Sequence, residues 1–483
     1  MNRMIRVVAI GLLASTALSG CAVGPNFERP APPTTTAYAP TPAPTEIPAT
    51  PGVAGGQAQR FVAAQGAPDK WWTQFGSPQL NAMVDEALAA NPDLKSADAA
   101  LRQADALMKA QAGAELPTAN FGYTAERDKT SNSLSPVPAD NAYSYSLHTA
   151  QITVGYTVDV FGGLRRATEQ AAAQADQARW QYEAARATLI ANVVAAAVQS
   201  AALGRQVEAA RQTAAAARQE LTLMQRQVQL GEVGQADVAA QQAQVAQADQ
   251  ALSPLAKSLG QQQSALAVLL GREAGQGAPP PLDLDALVLP PDLPVSAPAD
   301  LVRRRPDIVA AEANLHAASA GVGVAVAARL PNFTLSAAGG GASNDLRNIL
   351  NSGNDFWTLS AGVAQPIFEG GQLLQKQKAA EAALDQAKAQ YRSSVLNALK
   401  NVADSLDALT RDAETLKAAS VAEAASRRSL TFAQKSRDLG ETGALQVLTA
   451  EQTYAQARAT LVAASAARFA DTAALYQSLG GAA

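Results

Sequence analysis

The chain has 483 residues, a net charge of −4, one cysteine and two histidines. These numbers exclude an intramolecular disulfide and argue against a His/Cys metal site, since Cys21, His148 and His316 lie far apart in sequence. Aromatics are only 5% of the chain and no basic stripe carries interleaved aromatics, which removes a nucleic-acid surface. Heavy use of alanine and glutamine favours long helices over thick apolar cores.

Asn2 to Arg6 is a short positive region, and Val7 to Leu18 is apolar and small. A run of about a dozen residues is too short to span a bilayer, which takes roughly 20. It reads as a secretion signal over residues 1–20. The run ends in Leu18-Ser19-Gly20-Cys21, similar to a bacterial lipobox, which makes Cys21 the expected lipidation site. Loss of Arg3 and Arg6 with the leader takes the net charge from −4 to −6. Ala22 rather than Asp follows the cysteine, which by resemblance to such lipoproteins favours sorting to the outer membrane. Residues 21–70 are rich in Pro, Thr, Ala and Gly and read as a lipidated, extended tether. Order is expected from Trp71-Trp72, both packed against the protein.

The rest contains an internal repeat. Asn91-Pro92-Asp93-Leu94 returns as Arg305-Pro306-Asp307-Ile308, and Leu116-Pro117 as Leu330-Pro331, both at an offset of 214. Tyr182, Leu230-Gly231-Glu232 and Leu270-Gly271 return as Tyr391, Leu439-Gly440-Glu441 and Leu479-Gly480, all at an offset of 209. The expected repeats are 71–271 and 300–483, joined by a proline-rich connector at 272–299. Each reads helix, strand, strand, helix, helix. A helical segment over 77–115 is interrupted at Pro92. A long proline-free helix follows over 164–230, then a Gly231/Gly234 break, then a helix to Leu270 holding Pro254. The second copy has helices over 299–329, 371–439 and 445–479. A helix of about 67 residues would be about 100 Å long, more than a compact domain needs.

Between the helices, Ile152, Val154, Tyr156 and Val158 alternate with Thr153, Gly155, Thr157 and Asp159. Trp357, Leu359, Ala361 and Val363 alternate with Thr358, Ser360 and Gly362. Phe121/Tyr123 and Phe333/Leu335 mark the partner strands. Alternation puts one face on something apolar and the other on something wet. It fits outer-membrane strands facing lipid on one side and water on the other, with a small soluble sheet capping a helical bundle as the alternative. If the strands span a membrane, four cannot close a barrel, and an open edge in lipid leaves backbone groups unpaired. Three chains would supply twelve. Small and polar residues fill Arg211–Leu230 without sustained a/d heptads, which suits a wall one helix thick better than a coiled coil.

With these residues in place, the chain resembles the outer-membrane factor, or TolC-like, family, and within it the lipoprotein branch serving drug-efflux pumps. The likeness rests on Cys21-Ala22-Val23-Gly24-Pro25-Asn26-Phe27, on Trp71 to Leu80, on Asn91-Pro92-Asp93-Leu94, on Leu301 to Ile308 and on Gln365 to Gly371. The resemblance implies a mainly α fold with a small β part: a homotrimer in which a 12-stranded transmembrane β-barrel continues into a long periplasmic α-helical barrel. It also implies a periplasmic adaptor and an inner-membrane pump as partners. No cofactor is expected, because energy comes from elsewhere.

The expected periplasmic tips are 230–238 and 439–447. The family often has an acid before the valine of the second tip. Here Gln446 occupies that place, and Thr449 stands where a second acid is common. Asp237 precedes Val238 in the first tip. Three Asp237 carboxylates would favour cations at a narrow opening, or Asp237 simply caps a helix. Arg303-Arg304-Arg305 reads as a solvated helix start, and Phe161 and Phe368 as packing at the strand-to-helix joins, where the paired glycines turn the backbone. No phosphate loop, nucleophilic cysteine or Ser/His motif is present, so the chain reads as no enzyme. The function expected is a passive efflux duct at the outer membrane. A protein-secretion duct and a pore-less envelope spacer are the competing readings.

Overall fold

A computed structural model describes residues 22–481 apart from 41–43, 65, 130, 132–143 and 232. The leader over 1–20 and Cys21 lie outside the described residues. In chain order the elements are β1 (Glu46–Ile47), β2 (Gln59–Ala63), a 3-10 turn (Trp71–Phe75), α1 (Pro78–Ala90), α2 (Pro92–Gly113), β3 (Thr118–Lys129) and β4 (Ser144–Val158). Then come α3 (Gly163–Leu230), α4 (Gln235–Leu269), β5 (Asp292–Val295), α5 (Pro298–Arg304), α6 (Pro306–Ala327), β6 (Asn332–Ser343), β7 (Asp355–Ala364), α7 (Gln372–Asp438) and α8 (Ala444–Ser478). The order helix, strand, strand, helix, helix occurs twice, with α3 and α7 at 68 and 67 residues.

Among the described residues the chain forms two compact units, one from residues 22–29, 101–177 and 311–391, the other from 30–100, 178–310 and 392–481. The first unit holds a four-stranded antiparallel sheet in the order β3-β4-β6-β7. The second holds helical segments and a small sheet in the order β1-β2-β5, with β2 and β5 parallel.

Proline sets the break in the first helical segment. A residue before proline is driven to extended ψ, and Asn91 sits at φ −57°, ψ 126°. Its amide stabilises the break: Oδ1 accepts from Leu94 N at 3.0 Å and Nδ2 donates to Leu269 O at 3.0 Å. Arg305, before Pro306, has the same geometry at φ −71°, ψ 120°. Here the reading as a solvated helix start fails for one of the three arginines. Arg305 is buried, donating Nη1 to Ser478 O at 2.8 Å and Nε to Asp307 Oδ1 at 2.8 Å. The orphan carbonyls at the end of α8 need donors, and a guanidinium supplies several from one side chain. Arg303 and Arg304 are exposed.

Two segments without periodicity are more structured than composition implies. Order does not wait for Trp71: in the stretch read as a tether, Ile47 is 1% exposed and β2 pairs with β5 of the connector, Arg60 facing Asp292. The connector buries Leu282, Leu284, Leu287, Leu289 and Leu293. Strands of two to five residues leave no period to detect, and β2 finds its β5 partner more than 200 residues away. Trp71 and Trp72 are buried as expected, Trp71 stacking on Tyr476 at 5.0 Å between ring centroids. Tyr476 Oη donates to Gln74 Oε1 at 2.7 Å.

Beside this aromatic core lies a polar one. Arg468 is 1% exposed and donates Nη2 to Gln59 Oε1 at 2.6 Å and to Gln57 O at 3.3 Å. Asp412 of α7 meets Asp471 of α8. Burial first, then the hydrogen bond and charge of Asp471, push Asp412 up to about 7, opposed by Arg468. Burial and the neighbouring Asp471 carboxyl both disfavour ionisation of Asp412. A folded pKa above the unfolded value of about 3.9 means that the stabilising state is the protonated one. Its contribution is complete below pH ~4 and is lost as pH rises toward 7. Asp412→Asn is therefore expected to flatten the fall in thermal stability across that window. At pH 8 it should raise stability by on the order of 1 kcal/mol after discounting for solvent screening, measured as the melting midpoint in detergent. A variant melting identically to the parent at pH 8 would contradict the raised pKa of Asp412.

Candidate channel surfaces

Register decides what the sheet presents. Phe121 faces Ile152, Ile152 faces Gly339, and Gly339 faces Trp357. One step along, Ala119, Val154, Ala337 and Leu359 align. Further on, Tyr156, Leu335 and Ala361 align, as do Val158, Phe333 and Val363. Cross-strand partners share a face, so every large apolar side chain that alternates in the sequence lies on one side. The other side carries Thr118, Asn120, Thr153, Thr157, Thr334, Ser336, Thr358 and Ser360. The apolar side is uncovered within the chain: Phe121 is 73% exposed and Trp357 81%.

The nine residues Ala150 to Val158 span about 27 Å at ~3.4 Å per residue, close to the ~25 Å apolar band of outer-membrane barrels. Beyond Ala125 and His148 the same face turns polar, with Arg127 facing Ser146 and Lys129 facing Ser144. Tyr123 Oη lies 2.8 Å from His148 Nδ1 at that border.

At the foot of the sheet the described N-terminal residues form a clasp. Val23 N donates to Phe161 O at 3.0 Å. Arg166, 4% exposed, donates Nε to Val23 O at 3.1 Å, Nη2 to Asn26 Oδ1 at 2.7 Å and Nη1 to Glu169 Oε2 at 2.7 Å. Gly24 lies against Gly323 so closely that a Cβ on Gly24 would sit 2.5 Å from Gly323 Cα. Phe27 stacks on His316 at 4.4 Å, and His316 Nε2 lies 2.8 Å from Glu169 Oε1. Glu169 is held below the usual carboxylate range, where hydrogen bonds from His316 and Arg166 outweigh its burial. Arg166, Glu169 and His316 belong to no sequence motif, and only the fold brings them together at the N-terminal segment. Phe161 packs near Phe333 at 6.4 Å, whereas Phe368 is exposed rather than packed at its join.

The tips turn on left-handed glycines, Gly231 at φ 78° and Gly440 at φ 76°. The second turn closes with Glu441 N donating to Ser436 O at 2.8 Å, which satisfies an orphan carbonyl of α7. Asp237 is the third residue of α4, and its Oδ2 accepts from Gly234 N at 3.3 Å. Gln446 and Thr449, both exposed, line one groove with Arg428, Phe432 and Ser436 of α7. Asp237 is not among the residues lining it. Val447 of that turn is buried with Ala433 and Ala450. At the end of α7, Arg437 pairs with Glu220 of α3, and burial together with the Glu220 charge raises Glu451 above the usual carboxylate range despite Arg437.

A sheet with an uncovered apolar face, opposite a polar face and joined to helices of nearly 70 residues, defines an outer-membrane channel protein. The outer membrane efflux protein family model matches residues 83–272 and 297–481, and the chain belongs to that family. It is 32% identical over 445 residues to the pyoverdine export outer membrane protein OpmQ of Pseudomonas putida, covering 90% of this chain and 94% of that one. It is 29% identical over 479 residues to the toluene efflux pump outer membrane protein TtgI of Pseudomonas putida, covering 98% of each. The fold matches the Campylobacter jejuni CmeC outer membrane channel with a TM-score of 0.84 at 21% identity, over 96% of this chain and 95% of that one.

Leu359 and Ser360 are neighbours on opposite faces, which makes them a matched pair for test. Leu359→Arg is expected to cost about 2–4 kcal/mol at the apolar band and to abolish recovery of the protein in outer-membrane fractions. Ser360→Arg should fractionate normally. Equal recovery of both variants would show that the two faces meet the same medium.

Proposed function

We propose that three copies of the chain assemble into a passive duct through which small molecules leave the periplasm. The observation that carries this reading is the sheet order β3-β4-β6-β7, in which β3 and β7 are edges. An edge strand in hydrocarbon leaves a row of backbone groups unpaired, at several kcal/mol each. Joining β7 of one copy to β3 of the next removes every edge, and three copies give twelve strands. The apolar face then meets lipid, and the threonine- and serine-rich face lines the bore. OpmQ and TtgI are named for pyoverdine export and toluene efflux, which favours small molecules over protein as cargo. An inner-membrane pump, coupled through a periplasmic adaptor, supplies the energy, as the likeness to named efflux-pump components supports. Cys21 anchors the chain through acyl groups, and more than one chain makes that anchor stable.

At the tips, a ring of three Asp237 carboxylates gives the closed end a preference for cations. Asp237→Asn keeps a side-chain oxygen for the Gly234 amide and removes only the charge, so it separates the ring from the cap. Gln446 and Thr449 supply uncharged contacts to the second tip of the same gate.

Single-channel recording of the detergent-purified protein in a planar bilayer tests the duct. Discrete, long-lived steps are expected, with cation preference reduced in Asp237→Asn at unchanged melting temperature. Silence that persists after removal of 231–238 and 440–447 would end the channel reading in favour of an envelope spacer. Cys21→Ser is separately expected to block leader cleavage, leaving a precursor that retains residues 1–20 by intact mass. Normal cleavage of that variant before position 21 would rule out the lipobox.

A further inference from the structure

The two open edges of the four-stranded sheet differ in length and in charge. β3 has 12 residues and β7 has 10, and three successive antiparallel ladders make β7 run opposite to β3. A joint between the β7 edge of one copy and the β3 edge of the next is therefore antiparallel. Pairing every residue of β7 within β3 leaves three registers, in which Asp355 faces Arg127, Asp128 or Lys129 of the next copy. Arg127, Lys129 and Asp355 are all exposed, and among the described residues none of them has an ion-pair partner within the chain.

The faces of the sheet remove one of the three. Asp355 is two residues from Trp357, and Arg127 and Lys129 continue the alternation of Phe121 and Tyr123, so all three lie on the apolar side. Glu126 and Asp128 fall on the other side. Setting Asp355 against Asp128 would join the apolar side of one copy to the polar side of the next and oppose two carboxylates. Each register that remains gives Asp355 a cation, and the two differ in what meets Trp357. With Asp355 against Lys129, Trp357 faces Arg127, which brings a guanidinium down onto the apolar band, where a cation is costly. With Asp355 against Arg127, the residues Trp357, Leu359, Ala361 and Val363 face Ala125, Tyr123, Phe121 and Ala119, apolar or aromatic against apolar or aromatic throughout.

We propose that Asp355 of one copy pairs with Arg127 of the next, with Lys129 on the diagonal, so that an ion pair at the rim of the apolar band locks each seam in register. The proposal rests on the trimeric duct, and it names the residues that join its copies. Edge lengths, shared faces and complementary charge select the same partner, a second copy of this chain. The pair supplies what alternation cannot. Alternation has a period of two, so a slip of two residues leaves every apolar side chain on the lipid side. A single acid set against one cation is lost in any such slip that moves it off the basic end of β3. Beside hydrocarbon the pair is also less screened than it would be in open water. The joint is head-to-tail, and repeating it closes a ring.

The test uses the full chain in outer membranes, with cysteine pairs placed across the seam. Asp355→Cys combined with Arg127→Cys is expected to give disulfide-linked copies on mild oxidation. Asp355→Cys with Lys129→Cys should link far less, and with Asp128→Cys not at all. Asp355→Cys alone is the control for Cys21. Linking mainly through position 128 or 129, or at none of the three, would overturn the register. The charges are tested separately. Asp355→Arg is expected to lower the temperature at which the detergent-extracted trimer dissociates, and adding Arg127→Asp should restore it. A single variant as heat-resistant as the parent, or a double variant that recovers nothing, would overturn the ion pair. The mass of the parent protein in detergent separates this proposal from the reading beneath it. A one-copy mass refutes the trimeric duct, whereas a three-copy mass without the link between positions 355 and 127 refutes only the seam.

Discussion

A bilayer offers no water to an unpaired amide, and that single fact governs the β part of this chain. Four antiparallel strands satisfy the two inner ones and leave β3 and β7 each with one open side. In the trimeric duct proposed above, those two open sides meet the matching sides of neighbouring copies. The same constraint explains why the apolar side chains fall so regularly on one face. A slip of one residue in any pairing would carry Ile152, Val154 and Tyr156 to the wet side, so register is enforced along all three ladders.

The helical part obeys a different constraint. Away from the aromatic core around Trp71, close approach of small residues and isolated polar ties hold the helices together. Ala197, Ala201 and Ala202 of α3 are each 1% exposed, and amide contacts such as Gln452 Nε2 to Gln244 Oε1 at 2.8 Å link α8 to α4. One window of α3 is apolar enough to cross a bilayer by length and composition, yet 67% of it is buried inside the protein. Its hydropathy is accounted for by packing.

The parts of this architecture that sequence discloses are those with a period or a punctuation mark. Alternation over 152–158 and 357–363 locates the strands and their apolar face. Pro92, Pro306, Gly231 and Gly440 mark where helices break. What stays hidden depends on distant partners. Arg305 reads as one of three exposed arginines until the end of α8 is beside it. Arg166, Glu169 and His316 carry no motif, and only the fold brings them to the N-terminal segment. Asp412 and Asp471 are ordinary helix carboxylates in sequence, and Asp412 is pushed up only because α7 and α8 bring the two together. Asp237 admits two readings, and its capping bond is visible while a ring of three belongs to an assembly.

The pairing of β2 with β5 carries a consequence for how the chain matures. Arg60 waits for Asp292, and Gln59 reaches Thr472 through a hydrogen bond that spans 413 positions. Loop-closure entropy makes contacts of that separation late events. A chain delivered N-terminus first has its opening segment out long before the partners arrive. That segment is poor in apolar residues and rich in proline, and so offers little for premature pairing or aggregation while it waits. The low hydrophobicity that disguises it as a tether leaves it little to aggregate through before its distant partners are available.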